Sequence, residues 1–320
     1  MKTKPTETKF KSAFARARQL FSRVAWLGAV ILICSSASAQ SLFVSGKSLP
    51  AGEGLDGYGA IFKFAWDGGH SVFASGLYNP RELAVDSAGN LFLMDYVIFE
   101  GGSGGDAAVF KITPNGTTTI FAFGLNYSSN LTVDTAGNLF VADYDSGIIY
   151  RYKPTGSRDT FASGLYHPSG MAFDGAGNLW VADNSIGNIY RGSIYKYKTN
   201  GSRVTFAGLD PSDRPAGLAF DSMGNLYMAD LGGKIYKYNQ SALLRQNIRT
   251  TFGSVPNNAQ SLTFDSAGNL FVVDAGDANG RGNAVYKFTP NGARSTFASG
   301  QALSETFSHI ALQPMQLCCQ

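Results

Sequence analysis

One phrase of seven residues, Asp-x-x-Gly-Asn-Leu-aromatic, recurs five times at intervals of 40 to 48 residues and constrains the fold more than any other feature. In every copy a second Asp follows nine residues after the first. The copies begin at Asp86, Asp134, Asp174, Asp221 and Asp265, and they close at Asp95, Asp143, Asp183, Asp230 and Asp274. A repeat of this period is typical of structural units that are stacked in a row or arranged in a ring.

Each repeat divides into four short runs in which large apolar residues alternate with small or polar ones, which is typical of β-strands. In one repeat the runs are residues 131–133, 139–143, 149–152 and 160–162. Gly-Asn between the first two runs and Asn-Gly or Thr-Gly between the last two favour tight hairpin turns. The leading Asp is expected to accept hydrogen bonds from the backbone of the first turn, and the basic residue of the third run to point to solvent. Four antiparallel strands per repeat indicate a propeller blade.

The two ends of the chain complete the count of blades. Residues 42–44, 61–64 and 72–74 match the second, third and fourth strands of a blade that has no first strand, and residues 310–312 match the first strand alone. The C-terminal strand is therefore expected to join the N-terminal blade, closing a ring of six and removing the exposed edge of an open array. The sequence predicts an all-β protein, a six-bladed β-propeller. A linear β-solenoid is the alternative, and the matching half-blades argue against it.

Residues 80–92, Pro-Arg-Glu-Leu-Ala-Val-Asp-Ser-Ala-Gly-Asn-Leu-Phe, resemble an NHL repeat, and so do residues 168–183. The resemblance covers about residues 42–313 and implies a six-bladed propeller, related by fold to the gluconolactonase and senescence-marker type. It implies no single activity, because this fold hosts scaffolds, lectin-like binders, lactonases and lyases.

The N-terminus predicts export. Residues 1–39 combine a basic leader, an apolar run at 24–34 that is too short to span a bilayer, and Ala37-Ser38-Ala39, which suits cleavage after Ala39. We expect a signal peptide at 1–39, a propeller at 40–314 and a flexible tail at 315–320 that carries Cys318 and Cys319. The product is expected to be secreted or periplasmic, with no stable membrane anchor, and monomeric.

Net charge disfavours nucleic acid as a partner. The whole sequence has 26 basic and 23 acidic residues, but the leader holds seven of the former and one of the latter. The remaining 19 basic and 22 acidic residues give the mature chain a net charge of about −3.

The candidate site lies where the resembling repeat usually has Gly, four residues before the leading Asp. Three of the six positions are small: Gly170, Gly217 and Ser261. The other three are Glu82, Asn130 and His309, which belong to consecutive blades across the ring closure. A carboxylate, an amide and an imidazole that converge on the top of the central channel could hold a divalent cation, Ca²⁺ or Zn²⁺, or a polar ligand. No other cofactor is implied.

Three further residues join this predicted binding site. Arg81 precedes Glu82, and Asp95 and Asp143 end strands on the same face, which we call the top face. That face also carries the connections of variable length, where binding residues usually lie. The structural alternative is a water-filled channel in which Glu82 forms an ion pair with Arg81. His167, in a top-face connection, is expected to be a surface loop residue.

The sequence is compatible with two functions, and it does not decide whether the chain is an enzyme. The first is a binding module whose top-face loops hold a protein, a peptide or a glycan. The alternative, by resemblance to gluconolactonase-type propellers, is a metal-dependent lactonase- or esterase-like hydrolase or a lyase. Its metal ligands would be Glu82 and Asn130, with His309 or an Asp as the third.

Overall fold

The structure is a computed structural model, and it describes residues 40–47, 59–66, 69–97, 106–125, 128–184, 192–239, 249–277, 282–299 and 306–313. The predicted signal peptide, residues 1–39, lies outside these ranges, and so do Cys318 and Cys319. Within these ranges no helix has the length and hydropathy to cross a membrane.

Twenty-four strands in the described ranges form six antiparallel sheets of four strands each, which confirms the predicted all-β, six-bladed propeller. In chain order they are β1 Leu42–Lys47, β2 Gly59–Phe64, β3 His70–Leu77, β4 Leu83–Val85, β5 Leu91–Val97, β6 Asp106–Ile112, β7 Thr118–Leu125, β8 Ser128–Val133, β9 Leu139–Asp143, β10 Ile148–Tyr152, β11 Arg158–Ala162, β12 His167–Phe173, β13 Leu179–Asn184, β14 Ser193–Tyr197, β15 Arg203–Gly208, β16 Pro215–Phe220, β17 Leu226–Asp230, β18 Lys234–Tyr238, β19 Arg249–Ser254, β20 Ala259–Phe264, β21 Leu270–Asp274, β22 Ala284–Phe288, β23 Arg294–Ser299 and β24 Thr306–Leu312.

Blades 1 to 5 are β4–β7, β8–β11, β12–β15, β16–β19 and β20–β23, and blade 6 is closed by the C-terminal strand, as predicted. Its strand order is β24-β1-β2-β3. β24 pairs antiparallel with β1, with Leu42 opposite Leu312 and Val44 opposite Ile310. The axis of the ring is surrounded by the innermost strands β4, β8, β12, β16, β20 and β24. Hydrogen bonds between β1 and β24 close the ring.

The leading Asp of the phrase stabilises its own turn, which confirms its predicted scaffold role. Asp86 Oδ1 accepts hydrogen bonds from the backbone N–H groups of Ala88 at 3.0 Å and Asn90 at 2.8 Å, and Asn90 Nδ2 donates to Oδ2 at 2.7 Å. Gly89 adopts a φ of +79°, a conformation that favours glycine. The same geometry recurs around Asp134.

The core consists of six apolar layers, each between two neighbouring blades. An aromatic residue of each second strand fills the layer. The Trp180 ring, for example, lies edge-on to Phe206 of its own blade at 4.8 Å and to Phe220 of the next blade at 5.5 Å. Burying one such side chain contributes about 1.5–3 kcal/mol. The basic residue expected to point to solvent instead covers this ring, because Lys196 Nζ lies 4.9 Å from the Trp180 centroid.

Candidate functional site

A β-bulge shapes the top of the innermost strands. The pairing register shifts between Ser128 and Asn130 in β8 and between Ala259 and Ser261 in β20, and corresponding shifts occur in β12, β16 and opposite β24. A bulge inserts one extra residue and redirects the side chains around it. The six residues four positions before the leading Asp, which we call the bulge layer, lie at this level: Glu82, Asn130, Gly170, Gly217, Ser261 and His309.

Side chains of the bulge layer are directed at the next blade of the ring. Asn130 Oδ1 accepts a hydrogen bond from the backbone N–H of Met171 at 3.2 Å, and Ser261 Oγ accepts one from Ile310 at 3.4 Å. A Cβ atom added at Gly170 would lie 2.9 Å from the carbonyl oxygen of Ala216. The small residues therefore allow neighbouring blades to approach closely, and a larger residue at this level must fit between two blades.

The structure brings Glu82 and His309 together in the seam between blades 6 and 1. His309 Nε2 lies 3.7 Å from Glu82 Oε1, which is too long for a direct hydrogen bond. The residues are 2% and 7% exposed. Glu82 Oε2 and His309 Nδ1 are buried and have no hydrogen-bond partner among the described residues. Because buried polar atoms almost always have partners, these two atoms require an explanation.

Burial disfavours the charged form of both side chains. Desolvation raises the pKa of Glu82 to about 7, against the opposing effects of a hydrogen bond from its own backbone and of the nearby Arg81 charge. Desolvation, assisted by repulsion from Arg81, lowers the pKa of His309 to about 3. His309 is therefore an uncharged imidazole across the physiological range, and Glu82 changes its protonation state within it.

A serine missed by the sequence reasoning connects the pair. Ser45, in β1 opposite the bulge, is completely buried. Its hydroxyl donates to the backbone carbonyl of Arg81 at 2.7 Å and accepts from the backbone N–H of His309 at 3.0 Å, and the hydroxyl of Ser308 lies 2.8 Å away. The sequence does distinguish Ser45, because it is polar where the other five blades have an apolar residue: Met94, Ala142, Ala182, Ala229 and Val273.

The closing Asp residues hold the top-face connections. The carboxylate of Asp95 accepts hydrogen bonds from the backbone N–H groups of Tyr78 at 3.0 Å and Asn79 at 2.6 Å. Asp143 accepts from Ser146 N at 3.1 Å. Both carboxylates are buried and shape the surface above the blades. As ligand-binding residues, Asp95 and Asp143 stay predictions.

Glu82, Asn130 and His309, predicted to converge on the channel, do not form one cluster around it. The central channel has a volume of about 350 Å³, and its lining includes Asn130 and Ser261. Glu82 and His309 lie behind this lining, whereas Asn130 is bonded to blade 3. Across the described ranges, no group of three or more His, Cys, Asp or Glu side chains could hold a metal ion.

His167 is not the surface loop residue that the sequence suggested. It is the first residue of β12 and is half-buried, and its ring lies 4.4 Å from the ring of Tyr144. Its backbone N–H donates to Asp183 at 2.8 Å, which ties the residue to the blade.

Fold and site together define a closed six-bladed β-propeller in which a carboxyl group and an imidazole, those of Glu82 and His309, are buried together between blades 6 and 1. No family model matches the sequence, and no curated protein matches it either. Solved structures do resemble the chain.

A protein of unknown function from Bacteroides caccae is 15% identical, with 86% of this chain and 99% of that chain covered and a TM-score of 0.60. A gluconolactonase from Xanthomonas campestris is 17% identical, with 88% and 92% covered and a TM-score of 0.57. Virginiamycin B lyase from Staphylococcus aureus is 16% identical, with 68% and 69% covered and a TM-score of 0.50.

At these identities the likeness establishes the fold alone. The chain is a propeller of the gluconolactonase and virginiamycin B lyase type in its architecture. Membership of the NHL-repeat family stays a prediction.

Proposed function

We propose that this protein is a hydrolase or lyase in which Glu82, buried beside His309, is the general base. One observation carries the proposal: two ionisable side chains are buried together, and each keeps a polar atom without a partner, Glu82 Oε2 and His309 Nδ1. Structural carboxylates elsewhere in the ring, such as Asp95, are hydrogen-bonded to the backbone. Ionisable groups whose pKa is shifted by burial next to a cleft are candidates for catalysis.

The environment assigns a role to each group. A general base works best when its pKa lies near the working pH, and the pKa of Glu82 is about 7. For an ester or lactone, ionised Glu82 takes a proton from water while the water oxygen attacks the carbonyl carbon. The bond to the leaving oxygen then breaks, and that oxygen takes up the proton. His309 is uncharged and lies 3.7 Å from the carboxyl group, so it does not neutralise the ionised form.

Glu82 and His309 are almost fully covered, so the proposed reaction requires neighbouring residues to move when the substrate enters.

A metal-dependent form of the reaction needs more ligands than the described residues supply. Catalytic zinc sites use three protein ligands. Glu82 and His309 could provide two, but the amide oxygen of Asn130 is already bonded to Met171 N. The proposed steps are therefore assigned to the side chains alone, and a bound divalent ion stays a separate prediction that elemental analysis can decide.

A binding module is the second candidate, and exposed aromatic residues on the top face support it. Tyr78 and Tyr166 occupy equivalent positions in two connections between blades and are 47% and 54% exposed. Aromatic side chains provide large contact areas for a protein, peptide or glycan. We propose for either function a secreted or periplasmic monomer that does not bind nucleic acid.

The test is a screen of lactone and ester substrates with the purified secreted protein. Once turnover of a substrate is found, Glu82→Gln should lower kcat/KM by about 10² to 10⁴, the usual contribution of a general base. For the wild type, kcat/KM should rise with pH up to about 7 and then level off, because ionised Glu82 is the active form. Ser169→Ala in blade 3 is the control, since its hydroxyl donates to the Ala182 carbonyl of its own blade, away from the pair, and it should retain wild-type activity. Turnover that survives in Glu82→Gln would refute the catalytic role, and glycan or peptide binding without turnover would favour the second candidate.

A further inference from the structure

We propose that Ser45 is the positioning residue of the Glu82–His309 pair, and that it makes the geometry of the pair depend on closure of the ring. The inference rests on the proposed function of that pair. It assigns a role to a residue on neither of the two strands that carry the acid and the imidazole.

The geometry is specific to the pair. The Arg81 carbonyl belongs to the peptide group that leads into Glu82, and the His309 N–H belongs to the peptide group that leads into His309. Ser45 Oγ contacts the first at 2.7 Å and the second at 3.0 Å. One hydroxyl thus joins β1, β24 and the segment that leads into β4, and it fixes the backbone immediately before both side chains.

Ser45 is separated from His309 by 264 positions in the sequence, so the contact exists only when β24 has paired with β1. Because of the bulge, the His309 N–H does not take part in the regular ladder between these strands. Without the hydroxyl, this buried donor would lose its acceptor, which destabilises the closed ring. The same position is apolar in the other blades, so a serine is not required by the blade itself.

The positions of the two side chains matter because their separation is marginal. His309 Nε2 and Glu82 Oε1 are 3.7 Å apart, so a small displacement of either backbone segment separates the two groups. The same displacement would let water reach the Glu82 carboxyl group. Misplacement by about 1 Å can lower an enzymatic rate by about 10²-fold. Ser45 therefore affects the reaction through the backbone, without contacting the substrate.

The experiment compares Ser45→Ala with Ser169→Ala, a buried serine in blade 3 whose hydroxyl donates to the Ala182 carbonyl at 3.3 Å. The readout is the ¹³C NMR titration of the Glu82 side-chain carboxyl in the full mature chain, with urea unfolding measured in parallel. Ser45→Ala should admit water and move the Glu82 midpoint down from about 7 towards 4.5 by about one unit, a tenfold change in its ionisation equilibrium. Ser169→Ala should lose stability but leave the midpoint in place.

An unchanged Glu82 midpoint in Ser45→Ala, with a loss of stability like that of the control, would overturn the inference and leave Ser45 a structural residue. If Ser45→Ala does not fold, Ser45→Cys keeps a side chain of similar size and weakens both hydrogen bonds, because a thiol is a poor donor and acceptor. The same midpoint then decides: a shift supports the inference and no shift overturns it. The proposed function fails separately, when Glu82→Gln retains full turnover although Ser45→Ala shifts the midpoint.

Discussion

The buried carboxyl group of Glu82 makes the free energy of unfolding depend on pH between about 4.5 and 7. Its pKa is 4.5 in the reference state and about 7 in the folded protein. Between these values the folded state holds a proton that the unfolded state has released. The contribution of Glu82 to the free energy of unfolding is therefore largest below pH 4.5, and it is lost as the pH rises through about 7.

The magnitude follows from the same two values. Between pH 5 and pH 8 the loss from Glu82 is about 2–3 kcal/mol, since each pKa unit corresponds to about 1.4 kcal/mol. Replacing Glu82 by Gln removes the titrating group and keeps a side chain of similar size. Compared with the wild type, Glu82→Gln should therefore gain about 2–3 kcal/mol when the pH is raised from 5 to 8.

Urea unfolding of both proteins at pH 5 and pH 8 measures this double difference. Titrating groups far from residue 82 are present in both proteins, so their contributions cancel. Ser169→Ala is the control, and its stability relative to the wild type should not change between the two pH values. A double difference for Glu82→Gln below about 0.5 kcal/mol would show that the carboxyl group is solvated, and the argument for a desolvated base would be wrong.

Two further predictions concern the scaffold. Asp183→Asn should lower the free energy of unfolding by about 1–3 kcal/mol in urea titrations, because the backbone N–H groups of Tyr166 and His167 lose a charged acceptor; an unchanged midpoint would contradict this. Gly170→Ala should lower the melting temperature more than Gly217→Ala, because the added Cβ would approach backbone atoms to 2.9 Å at Gly170 and only to 3.2 Å at Gly217. Equal shifts for the two variants would show that the blades can separate at little cost.

Only part of the candidate site could be predicted from the sequence. The departure from Gly at positions 82 and 309 identified the two residues that the structure brings within 3.7 Å. Asn130 departs from Gly in the same way, yet its amide accepts a hydrogen bond from blade 3. The pattern does not distinguish these cases, because the direction of a side chain at a bulge depends on the neighbouring blade.

The sequence by itself determined the blades and their order. Turn residues such as Gly89 and Asp86 act within a few positions of each other, and their conformational preferences are local. The incomplete blades also indicated that the ring closes, since the N-terminal one lacks a first strand and the C-terminal segment supplies one. Only the tertiary structure decided which side chains the closed ring brings together. Ser45 and His309 meet across 264 positions, and the burial that shifts the pKa of Glu82 exists only after blades 6 and 1 have packed together. Contacts between blades, unlike turns, depend on the whole ring.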